Sequence, residues 1–137
     1  MALPILTKVT RKTLLLQEYT LSKGHTRGLA RACQFFDSKY INRVVFDNCG
    51  IDDQEFADIL KGLSFIKEIK SIVYKMNTFG ENSLKNLQPI LKHRLPYHLV
   101  ELKLIDCQMY GSSIRNLIDM LLDTGSQLRS LALVNSH

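Results

Sequence analysis

Leu99-Val-Glu-Leu102-Lys-Leu104-Ile-Asp-Cys107-Gln-Met109 carries the pattern that decides the fold. Leucines stand at its first, fourth and sixth positions, a small thiol at the ninth and an apolar residue at the eleventh. The same template, LxxLxLxx(N/C/S)x(L/I/F/M), fits Ile41–Ile51, Ile69–Phe79 and Leu128–His137, the last being cut short. The copies start at Ile41, Ile69, Leu99 and Leu128, at a nearly even spacing. A weaker copy, Arg11-Lys-Thr-Leu14-Leu-Leu16-Gln-Glu-Tyr19-Thr-Leu21, begins one such interval before the first of these. One such match is common in any apolar sequence. Four in register are a repeat, and a period of this length means units that stack because none can bury its own apolar face alone.

The fourth and sixth template positions fall on one side of a short strand, since side chains alternate along it. A helical pattern follows each strand. Asp52 or Asp53 can cap a helix that turns Phe56, Ile59, Leu60 and Leu63 inward. Asn82 or Ser83 can open a second, with Leu84, Leu87, Ile90 and Leu91 inward, although Pro89 predicts a kink or a late start. Ser112 or Ser113 can open a third, carrying Ile114, Leu117, Ile118, Leu121 and Leu122 and closed by Gly125. Thr26 is expected to open a helix bearing Leu29, Ala32, Cys33 and Phe36.

This pattern resembles the ribonuclease-inhibitor-like class of leucine-rich repeats over residues 11–137, in repeat length, in the full helix per unit, and in the series Cys49, Asn77, Cys107 at the ninth position. The resemblance implies an α/β fold, a right-handed leucine-rich-repeat solenoid with a parallel β-sheet on its concave face and α-helices on its convex face. It also implies a ladder at the ninth position that ties neighbouring coils together. Tyr19 departs from that pattern, so residues 1–40 are expected to be a basic N-terminal segment with a degenerate first repeat or cap, and 41–137 the repeats, the last one incomplete. No polar cap follows the final strand, so a longer repeat protein or a partner is expected to cover Leu131 and Leu133.

Hydrophobic content of 45% and charged content of 23% are those of a globular domain and argue against disorder. No apolar run is long enough to span a bilayer, and no signal-peptide layout opens the chain. Three cysteines without a CxxC and four scattered histidines argue against a disulfide framework or a zinc site and favour a reducing, cytoplasmic setting. No cofactor is expected. The net charge of +5 lies wholly in residues 1–40, where seven basic residues face Glu18 and Asp37.

The expected role is a non-enzymatic protein–protein interaction scaffold or adaptor, a subunit of a larger complex. The resemblance places the third, fifth, seventh and eighth template positions on the open concave surface. There Arg43, Val45, Asp47, Val73, Lys75, Met76, Lys103 and Ile105 form the expected contact, with Lys75 and Lys103 as polar anchors. Apolar residues flanked by charges suit a protein interface. The alternative is an anion-binding module for nucleic acid or an acidic partner, acting through residues 8–31 with Arg11, Lys12, Arg27 and Arg31. Lys23-Gly24-His25 lacks the spacing of a phosphate-binding loop.

Overall fold

Successive template copies fold as strand–helix units laid side by side. The computed structural model describes residues 9–10, 12–18, 20–21, 23–33, 41–66, 69–91, 99–109, 111–123 and 128–134. In chain order the elements are β1 (Val9–Thr10), β2 (Thr13–Gln17), α1 (Lys23–Ala32), β3 (Arg43–Asp47), α2 (Asp53–Leu63), β4 (Ser71–Lys75), α3 (Glu81–Leu91), β5 (Glu101–Ile105), α4 (Gly111–Asp123) and β6 (Ser130–Val134). The strands form one sheet in that same order. β2 to β6 run parallel, while β1 turns back antiparallel on the edge of β2. Leu14, Val44, Ile72, Leu102 and Leu131 are direct cross-strand partners, so the strands pair at the template's own intervals. Five parallel strands alternating with four helices give an α/β architecture compatible with a leucine-rich-repeat-like solenoid.

The alternation fixes where the core lies. Leu14, Leu16, Val44, Phe46, Ile72, Tyr74, Leu102 and Leu104 are buried on one face of the sheet, and Leu29, Phe56, Ile59, Leu60, Leu63, Leu87 and Leu117 come down on it from the helices. Phe56 stacks on Tyr74, with ring centroids 3.7 Å apart, and meets Phe46 and Phe79 at steeper angles. Aromatic packing of this kind adds to the burial free energy of the central units. The burial fades toward β6. Leu131 is 46% exposed where its cross-strand partner Leu102 is 1% exposed, and Ile118 and Leu122 of α4 are exposed as well.

Two hydrogen-bonding devices join one unit to the next. At the ninth template position, Asn77 is buried and its amide spans two coils. Its Oδ1 accepts from the backbone N–H of Cys49 (3.0 Å) and Ile51 (3.1 Å), and its Nδ2 donates to the carbonyls of Phe46 (3.1 Å) and Lys75 (2.8 Å). Cys49 donates its thiol to the Leu16 carbonyl at 3.2 Å, and Cys107 to that of Tyr74 at 3.1 Å. Tyr19, at the same position in the first copy, lies outside the described residues.

The second device is helix capping. Asp52 caps α2 in a capping box with Glu55, as its place in the sequence predicts. Asp53 instead caps α3 of the next unit. Its carboxylate accepts from the backbone N–H of Gly80, Asn82 and Ser83 and from the Ser83 hydroxyl. The expectation that Asn82 or Ser83 opens its own helix is corrected by that finding, because the cap comes from the preceding unit.

Three further helix expectations are corrected. α4 starts at Gly111, so neither Ser112 nor Ser113 opens it. α1 starts at Lys23, so Thr26 is a buried interior residue and not its opening. α3 runs through Pro89 to Leu91 without starting late. The proline removes the N–H that the Lys85 carbonyl would accept, but both residues are exposed near the helix end, where water can take that carbonyl. Phe36 and Gly125 lie outside the described residues.

Candidate functional site: the sheet face opposite the described helices

The side chains that alternate with the core positions form three rows across the other face of the sheet. The first row is Thr13, Arg43, Ser71, Glu101 and Ser130, the second Leu15, Val45, Val73, Lys103 and Ala132, and the third Gln17, Asp47, Lys75, Ile105 and Val134. The structure therefore brings Arg43, Val45, Asp47, Val73, Lys75, Lys103 and Ile105 onto one surface. It adds Leu15, 45% exposed, and Val134, 43% exposed, at its two ends. Both sit at template positions that the repeat pattern already assigns to this face.

Val73 is not open to solvent as expected, being 8% exposed. It lies on the middle strand of the parallel set, flanked in register by Val45 and Lys103. Glu101 ties the same neighbourhood together. It accepts from the Ser71 hydroxyl at 2.5 Å and pairs with Lys103 at 3.5 Å and with Arg43 at 3.8 Å, the last reaching across β4. The Ser71 hydrogen bond, and after it the nearby Lys103 and Arg43 charges, outweigh the desolvation penalty and hold the Glu101 carboxyl below the usual range. Arg43 and Lys103 are thus already engaged within the chain. Lys75, by contrast, enters no ion pair among the described residues. Glu101 is the organising residue of this face. It goes unmarked in the sequence because Ser71 and Arg43 stand one and two repeats away and Lys103 belongs to the adjacent row.

Met76 belongs to a different feature. The eighth template position adopts the left-handed backbone conformation in each of four copies, at Glu18 (φ 51°), Asn48 (φ 55°), Met76 (φ 54°) and Asp106 (φ 51°). It ends the strand, and its N–H donates to the neighbouring coil, as Met76 does to the Ile105 carbonyl at 2.9 Å. Placing Met76 with the strand-borne row is therefore corrected. It stands at the strand-end turn, 49% exposed, beside a cleft of about 530 Å³ that Asp106 and Gln108 also line. Asn and Asp tolerate this conformation better than an unbranched apolar side chain. Met76→Asn should therefore raise stability by about 0.5–1 kcal/mol, since little burial is lost. A urea-denaturation midpoint that stays level or falls would contradict that account of the turn.

The basic residues of the N-terminal end divide. Arg27 and Arg31 stand on the exposed side of α1 beside a furrow shared with Lys61 and Phe65 of the α2 region. Lys12 is elsewhere, in the turn before β2, where its carbonyl receives the N–H groups of Asn42 and Arg43. Arg11 lies outside the described residues. Among the described residues, Arg27 and Arg31 line that furrow and Lys12 does not.

All three cysteines are buried thiols. Burial pushes the Cys33 thiol up to about 12 and that of Cys107 up to about 11, so both stay protonated at neutral pH. Among the described residues no group of three or more His, Cys, Asp or Glu side chains is placed to hold a metal, and no helix is long and apolar enough to cross a membrane.

No protein-family model matches the chain. It is similar to a mouse protein, NACHT, LRR and PYD domains-containing protein 5, with 29% identity over 113 residues. The similarity covers 81% of this chain and 10% of that protein, so the chain spans about a tenth of its relative's length.

Proposed function

We propose that the chain is a run of ribonuclease-inhibitor-type leucine-rich repeats that holds a protein partner on the sheet face opposite the described helices and performs no catalysis. The observation that carries this reading is the face itself. Leu15, Val45, Ile105 and Val134 are at least partly exposed there among Arg43, Asp47, Lys75 and Lys103. Partly exposed apolar side chains bordered by charges are the make-up of a protein contact surface. Similarity to a protein whose domains include leucine-rich repeats supports the same reading. In this proposal the solenoid is right-handed and the sheet is its concave side. Residues 1–40 are the modified first unit and 41–137 the repeats. The setting is a larger cytoplasmic assembly, and Glu101 holds Arg43 and Lys103 in the geometry the partner meets.

Site-specific photocrosslinking tests it. A benzophenone side chain at Val45 or Ile105 should capture a discrete protein from the native source, and the same group at Lys85, exposed on α3, should not. Lys103→Glu should lower the captured yield about tenfold, as for a charge at the centre of an interface. Equal capture from both layers, or a yield indifferent to Lys103→Glu, would remove the sheet face from consideration.

A further inference from the structure

We propose that the furrow between α1 and α2 is a second binding site, taking an acidic peptide segment that carries an aromatic or large aliphatic side chain. Its floor exists because Gly62 has no side chain. A Cβ there would lie 2.6 Å from the Ala30 Cα and 2.8 Å from the Ala30 carbonyl oxygen, so the two helices touch backbone to backbone. The trough above that contact has a volume of about 330 Å³. That is enough for one bulky side chain and the backbone on either side of it.

Three cations border it. Arg27 and Arg31 are one turn apart on α1, and Lys61 faces them from α2. All three are exposed, and among the described residues none enters an ion pair. Among the described residues Asp58 is the one carboxylate lining the furrow, and it accepts a hydrogen bond from Gln54 at 3.2 Å. Phe65, just beyond α2, is 58% exposed at the same place.

Guanidinium and ammonium groups spaced along a trough, with a bare phenyl ring in it, match carboxylates along a peptide with one apolar anchor between them. A single aromatic ring does not offer the successive stacking platforms that single-stranded nucleic acid uses. The site lies on the helix layer, opposite the sheet face, so the two readings stand or fall separately.

Fluorescence anisotropy with a fluorescein-labelled oligoglutamate peptide containing one central phenylalanine provides the test. The whole chain should bind it, more weakly as salt rises. Arg27→Glu with Arg31→Glu, and independently Lys61→Glu, should each weaken binding about tenfold or more, as charge reversal in a complementary site does. Phe65→Ala, and alanine in place of the peptide's phenylalanine, should each weaken it several-fold, while Lys103→Glu leaves it unchanged. Because the substituted residues are exposed, thermal unfolding of the variants should follow that of the parent. The proposal is overturned if the peptide fails to bind, if the reversals leave binding intact, or if oligothymidine or phosphatidylserine vesicles bind more tightly through the same residues.

Discussion

Asn77→Ala is expected to cost about 3–5 kcal/mol of folding stability, a large share of what a domain of this size has to lose. The substitution strands the backbone N–H groups of Cys49 and Ile51, whose acceptor is Asn77 Oδ1. It also takes a donor from the carbonyls of Phe46 and Lys75. An unsatisfied buried donor costs about 1–3 kcal/mol, and two are created together with a small void. The flanking ladder positions set the scale. Cys107→Ala removes one thiol donor from the Tyr74 carbonyl, and should cost about 1 kcal/mol. Asn77→Cys restores a donor but no amide acceptor, so it should recover only a minor part of the loss. Urea unfolding followed by circular dichroism would rank the three. If Asn77→Ala and Cys107→Ala proved equal, the acceptor function of the Asn77 amide would not be what holds these coils together.

That contrast shows where the sequence is informative. Starts at 41, 69, 99 and 128 predict the cross-strand partners, because an in-register parallel sheet is the only way for equivalent residues to meet. Apolar side chains at the fourth and sixth positions predict the buried face for a related reason, alternation along a strand. What stays hidden is contact between units. Nothing local marks Asp53 as the cap of the helix in the next repeat, since Asp52 beside it already satisfies its own helix. Nothing local reveals that Arg43, Ser71 and Glu101 meet across three strands and that Val73 sits among its neighbours' side chains, because exposure on a sheet face depends on the residues one repeat to either side. Arg27 and Arg31 are likewise visible as charges, but their furrow depends on Gly62, which the strand template does not cover.

Asp53→Ala carries the second large effect and is diagnostic of the link between units. It removes the acceptor for the N–H groups of Gly80, Asn82 and Ser83 at the start of α3 and the nearer of two acceptors for the buried Ser83 hydroxyl, which keeps the Asp53 carbonyl at 3.2 Å. Loss of a helix cap costs about 0.5–2 kcal/mol, and because three N–H groups lose their acceptor at once the expected total is about 2–3 kcal/mol. Asp52→Ala, which removes a cap within one unit, should fall in the ordinary range of about 1 kcal/mol. The effect is also pH-dependent. Desolvation raises the Asp53 carboxyl's pKa, but the hydrogen bonds from Ser83, Asn82 and Gly80 outweigh it, so the group titrates below the usual carboxylate range. A carboxyl depressed in the folded state stabilises above its unfolded pKa of about 3.9, and that contribution is lost as pH falls through the folded value. The stability difference between the parent chain and Asp53→Asn should therefore be full at neutral pH and narrow in acid below about pH 4. Amide exchange places the damage, since Asn82 and Ser83 should lose protection first while the β3 and β4 amides keep theirs. If Asp53→Ala left the exchange of Asn82 and Ser83 unchanged, α3 would be held by its apolar face alone, and the capping carboxylate would be a surface contact without consequence for how one unit is fastened to the next.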